Sequence, residues 1–168
     1  MAGKIDKQTK TKQTESLNRV VASNRRARRD YELLDTFECG IVLRGSEVKS
    51  LREANVQLAD AYGRVSGNEV WLHGLNIAGY SHSGSFDSHL PERPRKLLLH
   101  RNEIDRIKIR VDQEHLSLIP LSLYFKDGRA KVEVAVARGR KQHDKRQAIA
   151  QRDADLEARK AIARARRR

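Results

Sequence analysis

The chain has 168 residues, a formal net charge of +13 and one cysteine. That length favours a single domain with tails. The lone Cys39 excludes an intramolecular disulfide and a cysteine-based zinc site. No stretch reaches the roughly eighteen apolar residues of a membrane span, and the N-terminal lysines are followed by no apolar run of a secretory signal.

The charge is segregated. Residues 1–30 carry nine Lys/Arg against three Asp/Glu, and residues 138–168 carry twelve against four. Residues 31–137 are close to neutral, with fourteen basic and fifteen acidic side chains. A neutral body with two basic arms suits a nucleic-acid partner, because each neutralised phosphate releases a condensed counterion. Binding of the tail to an anionic membrane surface is disfavoured by its thin apolar face.

In chain order, residues 1–23 are polar, lack hydrophobic periodicity and read as a disordered arm. Tyr31, Leu33, Phe37, Cys39, Ile41 and Leu43 fall on odd positions, predicting a strand with one buried face; Asp35 is the misfit. Gly45-Ser46 ends it, and Ser46 is placed to cap a short helix over 47–54 that points Val48 and Leu51 inward. Residues 56–65 and 69–77 flank Ser66-Gly67-Asn68, a hairpin signal. Residues 79–94 read as loop. A brief strand over 96–99 precedes a helix capped by Asn102 that runs to about Asp112, with Ile104, Ile107 and Val111 on one face.

The last hairpin is the clearest: Ile119, Leu121, Leu123 and Phe125 alternate, Asp127-Gly128 turns, and Val132, Val134 and Val136 alternate back. Pro120 lacks an amide donor, so its strand must be an edge or carry a bulge. Six or seven short strands and two or three short helices make the body mainly β, a small antiparallel barrel of the oligonucleotide-binding (OB) type. The domain reading is an arm over 1–23, a barrel over 24–143 and a tail over 144–168. The tail has no Gly or Pro and many alanines, which favours helix, but only Ile149, Leu156 and Ile162 are large and apolar. It should therefore be disordered when free and helical once a partner supplies contacts.

Among residues able to carry chemistry, His82, Asp87 and His89 invite a metal or acid–base reading. Their spacing matches no ligand motif, and a polar loop explains them better. No phosphate-binding loop or nucleophile elbow is present, so no cofactor is implied. The run from Arg138 through Gly139, Arg140, Lys141, His143, Asp144, Lys145 and Arg146 is more specific. It leaves the last strand and enters the helix-prone tail, with cations for phosphates, a ring that can stack on a base, and Asp144 to cap the helix. A second basic cluster, Asn24-Arg25-Arg26-Ala27-Arg28-Arg29, leads into the first predicted strand. Eight aromatics are too few for a broad stacking platform, so recognition should lean on phosphates, shape and 2′-hydroxyls.

Several ordered blocks resemble the SmpB (small protein B) family: Asn24-Arg25-Arg26-Ala27 with Tyr31, Phe37 to Ile41, Gly45 to Arg52, Asn55 to Tyr62, Arg95 to His100, Ile119 to Tyr124, and Val134 to Arg146. The resemblance covers Asn24 to the C-terminus. It implies an OB-type barrel without enzymatic activity that binds the tRNA-like domain of transfer-messenger RNA (tmRNA). It further implies delivery to stalled ribosomes in trans-translation, with elongation factor Tu and alanyl-tRNA synthetase as partners through the RNA, in the cytoplasm. On the family's pattern Asn24, Arg25, Arg26, Glu38 and Leu98 face tmRNA, with Lys131, Arg138, Arg140 and Lys141 adding backbone contacts. His143, Asp144, Lys145 and Arg146 would engage the small-subunit decoding centre, and Ile149, Arg152, Leu156 and Ile162 the mRNA path. The family often carries bulkier apolar residues in the tail where this chain has alanine. The competing expectation is an OB-type ribosomal protein or translation factor held on rRNA.

Overall fold

The computed structural model describes residues 19–79, 89–140, 154 and 156–160. Nine strands and three helices precede the tail among these residues. They are β1 (Arg19–Ser23), α1 (Ala27–Asp30), β2 (Tyr31–Ile41), α2 (Gly45–Arg52), β3 (Val56–Gln57), β4 (Tyr62–Ser66), β5 (Glu69–His73), β6 (Asn76–Ile77), β7 (Arg95–Leu98), α3 (Arg101–Glu114), β8 (Ser117–Lys126) and β9 (Arg129–Gly139). All strand pairs are antiparallel. The main sheet runs β1-β8-β4-β5-β7-β2-β9, and β9 pairs again with β8, so six strands close into a ring and β1 extends one flank. This is the mainly β barrel that the strand spacing predicts; β3 and β6 form a separate two-stranded ribbon.

The alternation rule fails at three places for one reason. Bulges interrupt β1 between Val20 and Ala22, β2 between Leu33 and Asp35, and β8 between Pro120 and Ser122. A bulge adds a residue to one strand and reverses the facing of everything beyond it. In β2, Leu34, Phe37, Cys39 and Ile41 pack on the main core, while Tyr31 and Leu33 pack on a second cluster formed by Ala27, Ile119, Leu121, Ala135 and Ala137. The expected single buried face is thus two. In β8, Leu118, Leu123 and Phe125 enter the main core, whereas Ile119 and Leu121 lie under α1. The bulge anticipated at Pro120 is present.

Strand β1 corrects the reading of residues 1–23 as wholly disordered. Its bulge lets both Val21 and Ala22 pack on the core, and pairing with β8 holds it. Five residues without alternation leave no periodic trace in the sequence. The misfit Asp35 is neutralised by an ion pair with Arg110 of α3.

Helix caps also differ from expectation. Helix α2 starts after Arg44, not Ser46, because the Glu47 carboxylate reaches back to the Arg44 amide at 2.6 Å. Helix α3 starts after His100, not Asn102, with Glu103 accepting from the His100 amide at 2.8 Å, and it extends to Glu114. In each case a Glu three residues into the helix takes the capping role.

Candidate nucleic-acid interface

Cross-strand register assembles one outer face of the barrel. In the first row Leu98 of β7 lies opposite Gly40 of β2, Gly40 opposite Lys131 of β9, Lys131 opposite Tyr124 of β8, and Tyr124 opposite Val20 of β1. In the second row Glu38 lies opposite Glu133, Glu133 opposite Ser122, and Ser122 opposite Ser23. Leu98 stands 52% exposed, an apolar contact surface in a polar field.

The face is wired by hydrogen bonds. Glu38 accepts from the Tyr124 hydroxyl at 2.6 Å and from Lys126 Nζ at 3.0 Å, with Lys131 Nζ at 3.7 Å. The Tyr124 and Lys126 bonds hold the Glu38 carboxyl below its ordinary range. Burial, then the bond to Glu38, pushes the Tyr124 phenol up. Ser122 donates to Glu133 at 3.1 Å. Lys126 and Lys131 balance Glu38 and Glu133, so the strip carries no net charge. It presents fixed donors and acceptors rather than a cationic field, which suits readout of shape and 2′-hydroxyls.

The basic rim comes from the segment before β2. The Asn24 amide donates to the Leu121 carbonyl at 2.7 Å, and its side-chain oxygen accepts from the Ala27 amide at 3.1 Å. Ala27 is buried on Ile119 and Leu121. This capped turn leaves Arg25, Arg26 and Arg28 exposed. Arg25 and Arg28 join Asn24, Ser122 and Glu133 around a cavity of about 410 Å³ at the edge of the strip.

The structure therefore gathers Asn24, Arg25, Glu38, Leu98 and Lys131, and adds Tyr124 and Lys126, which the sequence reading did not single out. Their signal lay in register: both precede the Asp127-Gly128 turn, which folds Lys131 opposite Tyr124 and Arg129 opposite Lys126. Arg138 does not join them. It lies on the opposite side of β9 from Lys131, with Nη2 3.9 Å from Glu114 of α3. The Arg140 amide donates to the Asp30 carbonyl at 2.9 Å, tying the exit of β9 to α1. Lys141, His143, Asp144, Lys145, Arg146, Ile149, Arg152 and Ile162 lie outside the described residues. Leu156 is described, in a helical segment, and is 53% exposed.

The histidine loop has a structural explanation at its described end. His89 is buried, with Nδ1 3.1 Å from Ser46 Oγ and Nε2 3.0 Å from the Ile77 carbonyl. A carbonyl only accepts, so Nε2 carries the proton and Nδ1 accepts from Ser46; no ring nitrogen is left for a substrate. His82 and Asp87 lie outside the described residues, and among the described residues no group of His, Cys, Asp and Glu is arranged to hold a metal.

A closed antiparallel barrel with a polar, hydrogen-bonded strip, set between two basic ends of the sequence, defines an RNA-binding adaptor class of protein. The SmpB protein family model matches residues 21–164, so the chain belongs to the SmpB family. An SsrA-binding protein of Frankia casuarinae is 51% identical over 150 residues, covering 89% of this chain and 94% of that relative. One of Mycolicibacterium smegmatis is 53% identical over 146 residues, covering 87% and 90%. A solved structure described as "tmRNA-SmpB: a journey to the center of the bacterial ribosome" superposes with a TM-score of 0.62 at 44% identity, over 77% of this chain and 94% of that one.

Proposed function

We propose that this chain is the tmRNA-binding adaptor of trans-translation: it holds the tRNA-like domain of tmRNA and carries it to ribosomes stalled without a stop codon. The observation that carries the reading is the pair of register rows that sets Leu98, Glu38 and Lys131 on one face with Asn24 and Arg25 at its rim. These are the positions that the family pattern turns toward tmRNA. The neutral strip reads the fold of the RNA, and the arms add sequence-independent attraction. Elongation factor Tu and alanyl-tRNA synthetase are partners through the shared RNA, and the chain works in the cytoplasm as an adaptor with no reaction of its own.

In this division the barrel binds tmRNA and the segment from His143 onward works in the decoding centre and mRNA path. The test uses two variants of the full chain and two readouts. Leu98→Asp should weaken binding of a tRNA-like-domain transcript by at least tenfold. Truncation after Arg146 should leave that binding within a few-fold and abolish tagging of stalled nascent chains. Loss of transcript binding on truncation, or none on Leu98→Asp, contradicts the division. A ribosomal protein held on rRNA would instead stay with ribosomes through high-salt sedimentation, where the adaptor washes off.

A further inference from the structure

The outer face of β4 and β5, around the barrel from the strip, gathers aromatics that the composition alone did not suggest would meet. Tyr62 lies opposite His73, and Arg64 opposite Trp71, which in turn lies opposite Lys96 of β7. The Tyr62 and His73 rings stack, with centroids 5.4 Å apart and planes 15° from parallel. His73 stacks on the tyrosine, yet Tyr62 remains 50% exposed and lines the groove beside it. Trp71 stands on this face between Glu69 and His73, and Glu69 pairs with Lys96 of β7. Arg64 is exposed and makes no ion pair among the described residues.

Beside this stack runs a groove of about 780 Å³ where β4 meets the start of β8. The two strands share a single bridging pair, Gly63 with Leu118, and a Cβ on Gly63 would come within 2.5 Å of the Leu118 side chain. The seam is pinched at that point and open on either side. Tyr62, Arg64, Asp60 and Asp112 line the groove together with Tyr31 and Asn24. Its volume falls within the roughly 300–1,000 Å³ of small-ligand sites.

We infer that this groove is a second nucleic-acid site, which takes an unpaired nucleotide stacked on Tyr62. The pre-stacked His73 backs the tyrosine, as successive rings do in single-strand platforms, and Arg64 supplies the cation for a flanking phosphate. Asp60 and Asp112 repel phosphate but accept hydrogen bonds from an exocyclic amine, so they favour cytosine over uracil. Asn24 lines both this groove and the cavity at the edge of the strip, which places the groove next to the proposed tmRNA surface. The site shares Asn24 with the proposed tmRNA surface but is otherwise separate from it, since neither Leu98 nor Glu38 lines the groove.

The test is a titration of the full chain with a fluorescein-labelled ten-nucleotide cytidine RNA, in enough salt to suppress binding by the arms. Tyr62→Ala should lose about 5- to 150-fold in affinity, the range that a lost base stack gives, and Tyr62→Phe should stay within about twofold. A uridine decamer should bind more weakly than the cytidine one. Photo-crosslinking the unmutated chain to a probe carrying one 5-iodocytidine should mark residues 59–73. Unchanged affinity in Tyr62→Ala, or crosslinks confined to the arms or the Leu98 strip, overturns the inference. The tRNA-like transcript should bind Tyr62→Ala as tightly as wild type. A loss there would also refute a separate site, whereas failure of Leu98→Asp to weaken that transcript would count only against the tmRNA surface.

Discussion

Glu47 is the most consequential buried charge in the fold, and replacing it by alanine should cost about 3–5 kcal/mol, the penalty for stranding its partner in the interior. Neither Glu47 nor Arg95 exposes any side-chain surface. The carboxylate accepts from the Arg44 amide at 2.6 Å, from Arg93 at 2.5 and 2.8 Å, and from Arg95 Nε at 2.9 Å. Arg95 in turn donates to the carbonyls of Leu75, Pro91 and Arg93. One network therefore pins the start of α2, the return from β6 and the entry to β7. In Glu47→Ala the guanidinium keeps its carbonyls but loses its counter-charge, so the expected shift in melting temperature is about 6–20 °C.

The pH dependence follows from the same contacts. Burial disfavours the Glu47 carboxylate, but the hydrogen bonds from Arg93, the Arg44 amide and Arg95 outweigh it and hold the carboxyl below its ordinary range. A depressed carboxyl contributes stability above the unfolded-state value, about 4.3, and loses it as pH falls through the folded value. Urea unfolding followed by the fluorescence of Trp71, the single tryptophan, should show wild type losing stability below about pH 4 more steeply than Glu47→Gln. Adding Arg95→Met to Glu47→Ala should recover part of the loss, because the stranded charge is gone. A cost below about 1 kcal/mol for Glu47→Ala, or equal acid slopes, would refute the argument.

Two further predictions test the backbone and the tail. Gly74 and Gly67 both hold positive φ, at 67° and 59°, but a Cβ on Gly74 would meet the Asp60 carbonyl oxygen at 2.7 Å while one on Gly67 meets nothing within 4 Å. Gly67→Ala should cost about 1 kcal/mol in urea unfolding and Gly74→Ala clearly more; equal costs would show that the backbone conformation alone sets the penalty. If His143 stacks on an rRNA base, His143→Phe should retain most tagging of stalled chains and His143→Lys should lose most of it, whereas a reversed order assigns the role to charge.

The barrel was legible because its strands are short, alternate well between bulges, and are joined by tight turns such as Ser66-Gly67-Asn68 and Asp127-Gly128. What stayed hidden traces to tertiary causes. Leu34 and Leu121 are ordinary strand residues, and nothing local marks the first as the extra residue of a bulge; Pro120 gave that warning in β8 alone. Capping by Glu47 and Glu103 was obscured by more conventional caps, Ser46 and Asn102, standing close by. Strand β1 exists only because β8 offers it an edge. At the interface, Glu38, Leu98 and Lys131 came from family resemblance. Tyr124 and Lys126 needed the register, and Arg138 needed the parity of β9 to separate it from Lys131. The Tyr62–His73 stack was missed although the hairpin was read, because a turn over Ser66-Gly67-Asn68 sets the register one residue away from the two-residue Gly67-Asn68 turn that pairs them.

The central claim is the identity of the RNA that this chain holds. Sequencing the RNA that co-purifies with the full-length protein through a high-salt wash tests it most directly. tmRNA should be strongly enriched with the wild-type chain and lost with Leu98→Asp, while the variant keeps the wild-type melting temperature. Recovery of rRNA in place of tmRNA, or of tmRNA equally with wild type and Leu98→Asp, would contradict the claim.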